Sequence, residues 1–207
     1  MGRPTLTYLA GLLGALLTGG LQAQAAPTPR EPALARELIR RFAIDQQGRD
    51  SIAIALNAGD TAFVMRLMAR DSASTRWLQG VVARVGWPGR TLVGDSASTT
   101  AFLILQHSPD NAWQAEMLPT LWRLADSGEM KKSDVAMLED RVRMHQGLPQ
   151  RYGMSFSLKE GCLVADSIDA PEGLAERRRA VGLPPMDEYM RLLAEAYQVK
   201  VVLRGGC

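Results

Sequence analysis

The side chains best suited to chemistry in this 207-residue chain are polar groups that interrupt or end otherwise apolar stretches. His107, within Gln106-His107-Ser108-Pro109-Asp110, follows a run from Ala97 to Leu105 that leaves few polar positions. A helix that apolar is deeply buried, so Gln106 and His107 at its end need partners or the border of a cavity. Imidazole is the side chain that ordinarily titrates near neutral pH, which makes His107 the first candidate for proton transfer. Asp140, beside Arg141, is the carboxylate expected to orient or charge-stabilise it. A third group is Asp45-Gln46 with Arg49, whose acid and base stand four residues apart and so share one side of a helix.

Together these residues outline a polar cleft. Arg49, Arg141 and Gln150 suit an anionic or amide-bearing ligand, with Gln46, Gln106, Trp87 and Tyr152 as further candidates for its lining. The same residues also fit a closed network in which Asp45, Arg49, Asp140 and Arg141 pair with Gln46, Gln150 and His107 to hold helices in register. Trp87 and Trp113 fit a pocket wall, but tryptophans at turns and at helical spacing more often fill cores. His107 and His145 are the only histidines, and a metal site from His107, Asp110 and Asp140 would need a convergence that spacing does not supply, so no metal is expected. There is no nucleophile elbow, no catalytic-cysteine context and no glycine loop for phosphate, and no cofactor is expected.

The elements that must position these groups are mainly helical. Leu34, Leu38 and Phe42 recur at four-residue spacing and predict a helix from Ala33 that continues through Ile52 toward Leu56. Asp60 caps a second helix with Phe63, Val64, Leu67 and Met68, and Asp71 or Ser72 opens a third ending at Gly86. After the turn Gly86-Trp87-Pro88-Gly89, residues Thr91 to Gly94 read as extended, and Asp95 or Ser96 caps the apolar helix that ends near His107. Further helices follow through Trp113 to Leu124 and from Ser133 to about Met144. Alternation of Met154, Phe156 and Leu158 with polar residues, then Glu160-Gly161 before Cys162-Leu163-Val164, signals a β-hairpin. Helical patterns return at 171–181 and 185–197, and 199–203 suits a last short strand. The fold class is therefore α+β, mainly α: a helical body with a small C-terminal hairpin or sheet.

Arg3, an apolar run from Leu6 to Leu17, and Ala23-Gln24-Ala25 form a secretory signal over residues 1–25, cut before Ala26. The run is shorter than the roughly 20 residues a span requires, and no later stretch is apolar enough, so the mature chain has no membrane span. Residues 26–32 are a flexible leader and 33–207 a single globular domain. Export places the protein in the periplasm or outside the cell. There Cys162 and Cys207 can form a disulfide or remain two free thiols. The net charge of +2 falls on loss of Arg3, which leaves no electrostatic footprint for nucleic acid; Arg177-Arg178-Arg179 and Lys131-Lys132 are short and read as solvated faces.

Several phrases carry a resemblance. DQ..R at 45–49, GWPG at 86–89, QHSPD at 106–110, EDRV at 139–142 and GLPQRYG at 147–153 resemble, in that order, a bacterial family called domain of unknown function 6624. Residues 166–189, DSIDAPEGLAERRRAVGLPPMDEY, look like its closing segment. The resemblance spans nearly all of the mature chain, and order and spacing carry its specificity. Where the family commonly reads YGTQ, this chain has Tyr152-Gly153-Met154-Ser155. The resemblance implies a fold and a set of residues but no reaction. The functional expectation is a binding domain whose polar cleft takes a small polar ligand or an envelope protein. The alternative is a hydrolase-like or transferase-like enzyme with His107 as general acid and base.

Overall fold

The structure, a computed structural model, describes residues 28–52, 55 and 58–203. The expected signal over residues 1–25, with its expected cleavage point, and Cys207, the second half of the expected disulfide, lie outside the described residues. By its internal contacts the chain falls into two compact units, one of Leu21–Lys131 and one that includes Lys132–Cys207.

The first unit is helical. Helix α1 spans Pro32–Gln46, with proline in its first turn, where no amide donor is needed. Helix α2 spans Thr61–Val85, and the Asp60 side chain caps it by accepting from the Phe63 amide. A single turn, α3, covers Arg90–Val93; helices α4 and α5 cover Asp95–Gln106 and Asn111–Asp126. Helix α1 packs on α4 and on α2, and α2 packs on α4. Leu38, Leu78, Val81, Ala101, Leu105 and Leu121 are fully buried, each leucine worth roughly 1.5–3 kcal/mol in removed apolar surface. Asp110 caps α5 through the Trp113 amide, as an acidic residue after a proline turn should.

Four local expectations are corrected. Helix α1 ends at Gln46 instead of running through Ile52, because Gly48 adopts φ +78° and turns the chain. A Cβ at Gly48 would stand 3.1 Å from the Phe63 ring, so the turn also needs the smallest residue. The second and third expected helices are one: Asp71 and Ser72 lie inside α2 and cap nothing. The Ser72 hydroxyl instead donates to the Met68 carbonyl and the Thr75 hydroxyl to that of Asp71, satisfying both hydroxyls without a break. Residues 90–93 are helical, not extended. Glu129 explains this by accepting from the Thr91 amide at 2.8 Å, while its own carbonyl accepts from the Arg90 amide. Gly94, not Asp95 or Ser96, precedes the first helical residue of α4.

The second unit begins with α6, Lys132–His145. Strands β1, Phe156–Lys159, and β2, Cys162–Ala165, pair antiparallel with Phe156 opposite Ala165 and Lys159 opposite Cys162. Glu160 and Gly161 both take positive φ at the tip, the conformation that matches strand twist in a two-residue turn. A 3₁₀ turn at Pro171–Gly173 leads into α7, Leu174–Ala180, and then α8, Met186–Tyr197. Strand β3, Val201–Val202, lies parallel to β2 and completes a three-stranded sheet in the order β1-β2-β3. Every residue of β2 is buried, as a central strand's should be. The chain is thus mainly α with a small C-terminal sheet.

Candidate functional site

In the helical unit, His107 is the residue that ends α4, and the apolar helix behind it fixes where its ring goes. The ring meets the end of α1. Nδ1 lies 3.0 and 2.9 Å from the two carboxylate oxygens of Asp45. Asp45 also accepts from Gln46 Nε2 at 2.8 Å and from Arg49 Nη2 at 2.8 Å. The turn at Gly48 carries Arg49 past the helix end and back toward Asp45, so the pair forms at the expected spacing but not on one continuous helix. Arg49 Nη2 is shared with Asp71, which lies 2.7 Å away on α2. The result is a line of four charged or titratable groups, Asp71, Arg49, Asp45 and His107, drawn from three segments. Arg70 adds a long 3.4 Å contact from Nη2 to the Asp45 carbonyl.

The line is not sealed. The Asp45 side chain is 2% exposed, whereas those of His107 and Arg49 keep 11% and that of Asp71 10%. Burial pushes Asp45 toward neutrality, but the hydrogen bond and charge of His107, and then those of Arg49, outweigh it and hold its pKa down to about 2. Asp71 goes the other way: burial raises its pKa further than Arg49 lowers it. Burial also lowers that of Arg70. With Nδ1–H donating to an ionised Asp45, the proton-accepting lone pair of a neutral ring belongs to Nε2. A carboxylate-fixed imidazole of this kind can take and return a proton.

Gln106 is buried, its carbonyl accepting from Gln114, whose amide nitrogen also serves Leu105 and Ser108. Trp87 is buried, as is Trp113. Asp110 is committed to its cap and to Gln79. Among the described residues, no three histidine, cysteine or acidic side chains are grouped to hold a metal ion.

Asp140, Arg141, Gln150 and Tyr152 belong to the other unit. Asp140 is fully buried on α6 and its carboxylate accepts from the backbone amides of Arg151, Tyr152 and Met154 at 2.6–3.1 Å. Burial raises its pKa and those three amides oppose the rise. Gln150 is also fully buried: its nitrogen donates to the carbonyls of Ser155 and Asp166, and its oxygen accepts from the Ser155 amide. Arg178 on α7, 1% exposed, donates to the carbonyls of Tyr152 and Pro184 and stacks 5.0 Å over the Tyr189 ring. One acid therefore takes the amides of the 150–155 loop while one base takes a carbonyl of the same loop. Arg141 is half-buried and, after burial itself, is what lowers the His145 pKa. Cys162 is buried at the start of β2.

A model described as a family of unknown function, DUF6624, matches residues 32–202. The chain belongs to this family. No curated protein and no solved structure matches it. The match runs across both units: residues 45–49 and 106–110 contribute to the His107 line, and residues 139–142 and 147–153 to the Asp140 clamp. Met154 and Ser155 bond to Asp140 and Gln150 through their main-chain amides, so those two bonds do not depend on either side chain.

Three participants escaped sequence reasoning. Asp71 and Arg178 each occupy a position on a buried stripe, Asp71 with Leu67, Thr75 and Leu78, and Arg178 four residues after Leu174. A charge on an apolar stripe was the available signal. Arg70 carried none.

Proposed function

We propose that this chain is an exported protein whose helical unit holds a proton-transfer site, with His107 as general acid and base and Asp45 fixing its ring. The substrate class is a small polar molecule, or a peptide or glycan of the cell envelope. The observation that carries this reading is the contact of His107 Nδ1 with both oxygens of Asp45, in a line whose members at either end keep a solvent-facing edge. Asp45 supplies the charge that favours the imidazolium, and Arg49 keeps Asp45 ionised. Leader removal before Ala26 belongs to the same proposal. A second reading, binding without chemistry, draws on Ile39 and Phe42 of α1 and Met65 and Met68 of α2, large apolar side chains left exposed.

Diethyl pyrocarbonate, which acylates neutral imidazole, separates a working ring from a sealed one. In the folded protein, peptide mapping is expected to find His107 modified, and Asp45→Asn is expected to change its rate relative to His145. His107→Gln should keep cooperative unfolding with a Tm within a few degrees of wild type. Protection of His107 until the protein unfolds, together with a large loss of Tm in His107→Gln, would make the line a structural tie and end the proposal.

A further inference from the structure

We infer that Asp71 is a positioning residue for the His107 site, acting through Arg49 on Asp45. This rests on the proposed role of the Asp45–His107 pair and assigns a function to a carboxylate that touches neither the ring nor a reacting atom.

The inference stands on how Arg49 divides its donors. Nη2 lies 2.8 Å from Asp45 Oδ1 and 2.7 Å from Asp71 Oδ1; Nη1 reaches Asp71 Oδ2 at 3.3 Å and Nε reaches Asp45 Oδ2 at 3.4 Å. One guanidinium is thus forked between two carboxylates, and the shorter contact goes to Asp71. A planar guanidinium presents its donors in a fixed fork, so holding one end sets the other. Asp71 itself is anchored: it sits inside the 25-residue α2, and its carbonyl accepts from Thr75 at 2.8 Å. Arg49 lies in the turn after α1, where its amide donates to the Gln46 carbonyl at 3.1 Å and its carbonyl accepts from the Ile52 amide at 3.3 Å. Asp71 therefore holds the guanidinium from a second element, the helix α2.

The electrostatic consequence concerns Asp45. An arginine engaged only with Asp45 would neutralise it and weaken its hold on Nδ1; an arginine shared with a second carboxylate neutralises it less. Asp71 thereby preserves negative charge on Asp45 for the ring. A further charged group against this line is Arg70, which neighbours Asp71 on α2 and contacts the Asp45 carbonyl.

A double-mutant cycle read on the His107 titration by NMR tests this, with His145, in the other unit, as internal reference. Asp71→Asn is expected to lower the His107 midpoint by about half a pH unit or more. In an Arg49→Gln background the same substitution is expected to have less than half that effect, because the relay is already cut. A purely through-space effect of Asp71 would persist or grow once Arg49 is gone, and that result overturns the inference, as does an unchanged midpoint in Asp71→Asn. Where Asp71→Asn does not fold, Asp71→Glu carries the cycle: it keeps the charge but displaces the fork, so an altered midpoint in wild type that vanishes with Arg49→Gln supports the relay and an unaltered one refutes it. Asp45→Asn distinguishes the two levels. If it leaves the His107 midpoint in place, the underlying pair has failed; if it moves the midpoint and Asp71 variants do not, only the relay has.

Discussion

Two buried aspartates illustrate how one residue type serves opposite ends. Asp45 faces a ring and a guanidinium, and its pKa lies at about 2. Its folded value is depressed below an unfolded value near 3.9, so it contributes stability above about pH 4 that is lost as pH falls toward 2, on the order of 2 kcal/mol. The stability difference between wild type and Asp45→Asn, read from urea unfolding, should therefore shrink across that interval and hold steady above it. Asp140 faces three main-chain amides and its pKa is raised, so its linkage has the opposite sign: stability falls as pH rises through its folded value. Asp140→Asn removes an acceptor from buried donors and should cost about 2–3 kcal/mol, with cooperative unfolding at lower urea. His107→Gln, which keeps a donor for Asp45, should lose less than this, and the contrast marks Asp140 as the structural residue. Sequence pointed to His107, Asp45 and Arg49 through their types and spacing, yet it could not show that the partner of His107 is Asp45, 62 residues earlier, since that pairing is made by the packing of α1 on α4.

At the scale of elements, apolar periodicity located α4, α5 and α6 because each buries one continuous stripe, and the hairpin because its alternation and tip chemistry agree. It failed where a side chain did something unusual. Asp71 and Ser72 resemble a helix start, but Arg49 and the Met68 carbonyl take up their polar atoms, and α2 continues. Residues 90–93 gave no sign that Glu129, 38 residues on, would accept from the first turn. Gly153 makes the point for the 150–155 loop: it holds φ +69°, and a Cβ there would collide with Met186 Cε and stand 3.2 Å from Ile168 Cδ1. Methionine can yield, but the backbone strain cannot, so Gly153→Ala should lose about 1–2 kcal/mol in thermal or urea unfolding. Met186→Ala is not expected to restore it.

Across the whole chain, one family match covers residues 32–202 and so includes residues of both compact units. The fold class was legible because helices and strands differ in period; the division into units was not, since nothing in composition changes near Lys131. The export proposal is checked by N-terminal sequencing of protein expressed with its leader in a bacterial host, where Ala26 is the expected first residue. Maleimide labelling with and without prior reduction decides between a Cys162–Cys207 bridge and two thiols. The claim on which the rest hangs is that Asp45 fixes the His107 ring, and ¹⁵N shifts of the imidazole nitrogens above its titration read this directly. The protonated nitrogen should be Nδ1, with His145 free to show the ordinary preference for Nε2–H. A His107 ring carrying its proton on Nε2 would contradict the account.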